Sequence, residues 1–185
     1  MGFAVFLDTC TLYPAHLRDT FLRLAELGLY QPLWSCHILR ELSSNLESTA
    51  QIDTVALERL LGEMRGAFPE AQVDGYEDLI ESMACHPKDR HVLAAAVRGK
   101  AGAIVTFNLS DFPDTALKPY EIEVIHPDDF LLDLLDLAPD LVIEELERQA
   151  QANRRRPATL RELLDALSTI QINKFVEEVR GWKAG

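Results

Sequence analysis

The chain has 185 residues, 48% of them hydrophobic, and a formal net charge of −12. That is enough sequence for one well-filled core, and too acidic for a protein that coats nucleic acid by bulk positive charge. No apolar run approaches the length of a membrane span, and Met1-Gly-Phe-Ala-Val-Phe-Leu-Asp8 lacks the basic flank of a signal peptide, so the expected compartment is the cytoplasm.

The charge is uneven. Residues 1–150 carry 11 basic and 26 acidic side chains, net −15, and residues 151–185 carry 7 basic and 4 acidic, net +3. An acidic body therefore ends in a basic tail. The three cysteines, Cys10, Cys36 and Cys85, show no zinc spacing and read as free thiols. The adjacent pair Cys36-His37 cannot by itself build a metal site.

In chain order, Phe3 to Leu7 is a continuous apolar run, as in a strand buried on both faces. Leu17, Phe21, Leu24 and Leu27 recur at helical spacing over 14–27, and Gly28 closes that helix. Leu33-Trp34 reads as a second short strand. Ser35 is a candidate N-cap for a helix over 36–45, with Glu41 on its second turn. Further helices are expected over 53–66 and 76–83. Pro87 breaks the chain before a helical segment, 89–97, with Asp89 in its first turn. Gly99 and Gly102 bracket a turn into a strand over 103–107, and Glu123-Val-Ile125 is one more strand. Beyond Pro127 the pattern is helical: 130–137, 141–152, 160–167 behind the capping box Thr159-Leu-Arg-Glu162, and 172–179. This order predicts an α/β fold, a parallel sheet flanked by helices, followed by a small all-helical C-terminal region.

Four acids occupy the positions where such a sheet collects ligands, beyond the carboxyl ends of its strands. Asp8 ends the first strand, Glu41 and Asp89 belong to helices, and Asp111 follows the strand 103–107. Each has a plain alternative: a turn cap for Asp8, a surface acid for Glu41, a helix-start residue for Asp89 and a turn former for Asp111. Gathered together, they repel unless protons or cations neutralise them, and an all-oxygen set suits Mg²⁺ or Mn²⁺ rather than zinc. That chemistry is metal-assisted phosphoryl transfer. A haloacid-dehalogenase phosphatase would want an acid where Cys10 stands, and a receiver domain would want a second acid beside Asp8. Thr106 can orient a carboxylate or water through its hydroxyl, or simply be a β-branched strand end. His91 reads as a helix-surface residue.

The ordered strings Phe6-Leu-Asp-Thr-Cys-Thr-Leu-Tyr-Pro14, Ile38-Leu-Arg-Glu-Leu42, Pro87-Lys-Asp-Arg-His-Val-Leu-Ala-Ala-Ala96 and Ile104-Val-Thr-Phe-Asn-Leu-Ser-Asp-Phe-Pro113 resemble the PIN-domain family, in particular its VapC-like ribonuclease toxins. The resemblance spans about residues 3–130, and the helical extension looks like the added C-terminal region of one VapC-like subgroup. It implies a PIN-like nuclease domain over 1–130 and an extension over 131–185. It implies metal ligation by Asp8, Glu41, Asp89 and Asp111, with Thr106 and Asn108 beside them, and a Mg²⁺- or Mn²⁺-dependent endoribonuclease. Asn108 stands where some relatives place another acid, which leaves open whether Asn108 or Asp111 lies nearer the metal. Implied partners are an RNA substrate, a small antitoxin and a second copy of the chain. The competing expectation is a non-catalytic RNA- or protein-binding module of the same fold. Arg154, Arg155 and Arg156 either bind RNA phosphates or form a solvated linker.

Overall fold

A computed structural model of the chain describes residues 3–50, 52–153 and 155–184, with side chains to Trp182. Its centre is a five-stranded, all-parallel sheet: β1 (Ala4–Leu7), β2 (Gln31–Ser35), β3 (Gln72–Val73), β4 (Ala103–Val105) and β5 (Glu123–Ile125), in the order β3-β2-β1-β4-β5. The register pairs Val5 with Pro32 on one side and with Ala103 on the other. Val5, Phe6, Leu7, Ile104 and Val105 are all fully buried, which is why these strands read as unbroken apolar runs rather than as alternation.

The connections dictate where a ligand can sit. From β1 the chain passes through α1 (Thr9–Leu12) and α2 (Ala15–Glu26) to β2, then α3 (Cys36–Ser48) and α4 (Thr54–Ala67) to β3. It then crosses back through α5 (Arg90–Arg98) to β4, on the far side of β1, and through α6 (Asp114–Leu117) to β5. Right-handed crossovers running in opposite directions put α2 and α5 on opposite faces of the sheet. The reversal between β1 and β4 opens a crevice at their carboxyl ends, the usual ligand position in open α/β sheets.

The helices α7 (Pro127–Leu137), α8 (Pro139–Ala152), α9 (Leu160–Ser168) and α10 (Lys174–Ala184) follow. They are docked on the sheet domain. Thr20 Oγ1 on α2 donates to Gln149 Oε1 on α8 at 2.8 Å, Gln149 Nε2 donates to the His16 carbonyl at 3.0 Å, and Arg23 pairs with Glu145 at 2.9 Å. Phe21 of α2 stacks on Phe130 of α7, and Tyr30, just before β2, meets both rings edge-on. Asp128, 4% exposed, accepts three backbone N–H bonds, from Asn173, Lys174 and Phe175, and so fixes the start of α10 against α7. The expected division at residue 130 falls inside α7. Among the described residues, no helix is long and apolar enough to cross a membrane.

Several elements differ from expectation. The segment expected as a helix over 76–83 is a 3-10 helix, Glu77–Ser82, in which no residue is buried; buried Tyr76 and Met83 anchor its two ends instead. Asp89 does not enter α5. It ends a short 3-10 turn, Pro87–Asp89, and stands just before the helix. The strand expected over 103–107 ends at Val105; the Thr106 N–H still reaches the Ile125 carbonyl at 3.1 Å, while its side chain turns to Asp8. Gly28 does close α2, with the positive φ of +76° that favours glycine there. Arg154 lies outside the described residues. Arg155 and Arg156 are exposed, and Arg156 pairs with Glu162 of the capping box at 3.2 Å.

Candidate functional site

Asp8 and Thr106 are the first residues beyond β1 and β4, so the strand pairing itself brings them together. The Asp8 N–H continues the ladder to the Val105 carbonyl at 3.2 Å, and Thr106 Oγ1 donates to Asp8 Oδ2 at 2.6 Å. Asp8 Oδ1 accepts the Thr9 N–H at 2.7 Å, so the carboxylate also caps α1. The Asn108 N–H donates to Thr106 Oγ1 at 3.1 Å, which ties the loop after β4 to the same pair.

The four-residue helix α1, which no sequence pattern announces, delivers two further contacts. Thr9 Oγ1 donates to Glu41 Oε2 at 2.6 Å, and Thr11 Oγ1 donates to the Val105 carbonyl at 2.9 Å. Cys10 lies between Asp8 Oδ2 and Thr106 Oγ1, at 3.2 Å from each. Burial first, then the Asp8 charge, pushes the Cys10 thiol up to about 12, so it remains a protonated donor.

Asp8, Thr9, Cys10, Tyr13, Glu41, Ser44, Asn45, Thr49, Asp89 and Asn108 line one open cavity of about 640 Å³. Three of the four predicted acids meet there, and Asn108 with them. Asp111 does not line the cavity. It acts from beside it: its carbonyl accepts the His86 N–H at 3.1 Å, bracing the turn that presents Asp89, and its charge reaches the Asp89 carboxyl.

The carboxyls of Asp89 and Glu41 are tuned in opposite senses. Burial, then the charges of Asp8 and Asp111, raise the Asp89 carboxyl above its ordinary range, although His86 and His91 pull the other way. Asp89 makes no capping bond to α5, so its carboxylate is unspent on secondary structure. Burial also pushes Glu41 up, but His91 and the Thr9 hydroxyl outweigh it and hold that carboxyl below its usual value.

A raised carboxyl costs stability once ionised. The cost is absent in acid, below the ordinary aspartate range of about 3.9, and grows as pH rises through the folded value. Asp89→Asn is therefore expected to raise the metal-free melting temperature slightly at neutral pH, and to lose that advantage in acid. Differential scanning fluorimetry across pH checks it; a lower melting temperature at pH 7 would mean that the carboxylate is stabilised in the fold.

His91 is a correction. Expected on a helix surface, it is 7% exposed. Its ring stacks on that of His37, centroids 3.9 Å apart and planes 11° from parallel. Its Nε2 lies 3.4 Å from Glu41 Oε1, and that of His37 lies 3.8 Å from the same oxygen. The sequence held the clue. Residues 91–96 of α5 are all buried, and His-Val-Leu-Ala-Ala-Ala offers no polar face on which His91 could meet water. His37 and Glu41 are one helical turn apart and hence on one face of α3. Burial, and next the neighbouring His91, lowers His37 below its ordinary value.

Comparison with known proteins agrees with this geometry. The family described as PIN domain matches residues 4–110, and that described as VapC50 C-terminal domain matches residues 127–181. A protein of Mycobacterium tuberculosis (strain ATCC 25618 / H37Rv) named "Putative ribonuclease VapC50" is 52% identical over 106 residues, 57% of this chain and 62% of its own length. The match thus spans less than two thirds of that relative. No solved structure matches the chain significantly. The first family match covers more than half of the chain, and the sheet order, crevice and acidic residues fit that match: the chain belongs to the PIN domain family.

Proposed function

We propose that the chain is a Mg²⁺- or Mn²⁺-dependent endoribonuclease, the toxin of a toxin–antitoxin pair. The observation that carries this reading is the meeting of Asp8, Glu41, Asp89 and Asn108 in one open cavity at the sheet's switch point. The relative named as a ribonuclease supports the same reaction. The donor set fits a hard dication: its charged members are carboxylates, and Asp89 is held in the protonation-prone state that a cation relieves.

Asp8, Glu41 and Asp89 would hold the metal, with Asn108 offering an amide and Asp111 adding charge from outside the cavity. When bound, the cation supplies neutralisation of phosphate charge and acidifies water. The rest is the work of side chains. Thr106 fixes one Asp8 oxygen and Thr9 fixes one Glu41 oxygen, so neither carboxylate must be ordered on binding. Asp89, whose carboxylate caps no helix, is free to hold an attacking water in place at the cavity. RNA cleavage in Mg²⁺ and Mn²⁺, abolished by chelation, is the test; cleavage that persists in excess EDTA overturns the reading. The non-catalytic alternative draws on Asn108, whose neutral amide lowers the charge of the set, and it predicts RNA binding without cleavage under any cation.

The acidic body needs a positive element to hold a strand. If Arg154, Arg155 and Arg156 supply it, replacing all three weakens RNA binding and flattens its log–log salt dependence by about 0.7 for each phosphate no longer neutralised. Arg156 is already paired with Glu162, so the expected flattening is below that of three full phosphate pairings. Filter binding at several salt concentrations reads both; an unchanged affinity and slope would mean a solvated linker.

A further inference from the structure

Beside the acidic cavity lies a donor set of different chemistry. Among the described residues, His37, Glu41 and His91 place one potential ligand atom each within 4.8 Å of one another. We propose that these three side chains form a second cation site, selective for a borderline transition-metal dication of the Zn²⁺ class, which shares Glu41 with the acidic cavity. The site does not depend on the nuclease reading.

Spacing carries the proposal. Ligands bonded to a tetrahedral zinc at about 2.0–2.1 Å stand about 3.3 Å apart. The His91–Glu41 separation is 3.4 Å and the His37–Glu41 separation 3.8 Å, both near that spacing; the two stacked rings must swing apart to aim their in-plane nitrogen lone pairs at one ion. Two imidazoles and one carboxylate are the composition that zinc-class ions take with one position left open, whereas Mg²⁺ prefers oxygen donors. The scaffold is firm on one side and adaptable on the other. His91 is buried on α5, while His37 and Glu41 sit a turn apart on α3 with side chains 43% and 38% exposed, which leaves the open position facing solvent. Among the described residues, His91 Nδ1 has no hydrogen-bond partner, so no bond there opposes turning the ring onto an ion.

Glu41 is the hinge between the two sites. Its Oε1 faces the histidines and its Oε2 accepts from Thr9 at the acidic cavity. An ion on the histidine side engages the carboxylate from one edge and so competes with, or bridges to, a hard cation on the other.

The test is titration of the full chain with Zn²⁺ by calorimetry, and with Co²⁺ by its visible absorption, for wild type, His37→Asn, His91→Asn and Asp8→Asn. The expected result is one ion per chain, bound at least tenfold more weakly by each histidine variant and unchanged in Asp8→Asn. His37→Asn is the decisive variant because its partly exposed ring leaves the core intact, which a melting curve verifies. Wild-type affinity in His37→Asn overturns the proposal, as does loss of Zn²⁺ binding in Asp8→Asn with retention in both histidine variants, which would put the ion in the acidic cavity. Thermal stabilisation by Mg²⁺ in the same variants reports on the acidic cavity alone, so the two readings fail separately.

Discussion

Asp8→Asn and Asp89→Asn are each expected to lower RNA cleavage by about 10²-fold or more while leaving the fold intact. The two changes preserve shape and each removes one negative charge from the cavity proposed to hold the cation. Asp8 is 6% exposed and its oxygens are already committed to Thr9, Cys10 and Thr106, so an amide there also turns a donor toward groups that donate. Asp89 makes no such bonds to its helix, and its loss is expected to be the cleaner of the two. Mg²⁺ is expected to raise the melting temperature of wild type and to lose most of that effect in both variants. Equal stabilisation of all three proteins would remove Asp8 and Asp89 from the ligand set, whatever happened to activity.

The largest effect on stability is expected at Asp128, far from the cavity. Its two oxygens accept three backbone N–H groups around the start of α10, at 2.9–3.2 Å. Asp128→Ala strands those donors in a largely buried seam and is expected to cost about 2–4 kcal/mol. For a chain of this size that lowers the melting temperature by about 5–15 °C. Asp128→Asn keeps one acceptor oxygen and is expected to lose roughly half as much. A melting temperature within a degree of wild type for the alanine variant would mean that α10 is held by its apolar face alone, through Phe175, Val176 and Val179.

Much of the sheet is legible in the sequence because its central strands β1 and β4 are buried on both faces, which leaves the period-free apolar runs at 4–7 and 103–105. The two-residue β3 carries no such run: Gln72 is exposed and only Val73 is buried. The helix α1 is a single turn, too short for any period, and depends on a capping bond from Asp8 that appears only once the strand has ended. Asp8, Glu41 and Asp89 stand out as candidates because strand ends and helix starts are marked in sequence. Their distance from Asn108 and Asp111 is not marked, since it turns on the path of one loop after β4. The pairing of His37 with His91 is hidden for a related reason. They are 54 positions apart, and only the packing of α3 near α5 makes them a pair.

The strand order also sets a timetable. Strand β1 is the first to leave the ribosome, yet one of its two neighbours is β4, paired through Val5 and Ala103. At roughly 5–20 residues per second of synthesis, Asp8 waits on the order of 5–20 s for Thr106 to exist. During that interval β1 has an open edge on one side, and the cavity lacks the threonine that orients its central carboxylate. The acidic cavity is therefore incomplete in the nascent chain until the late strands dock.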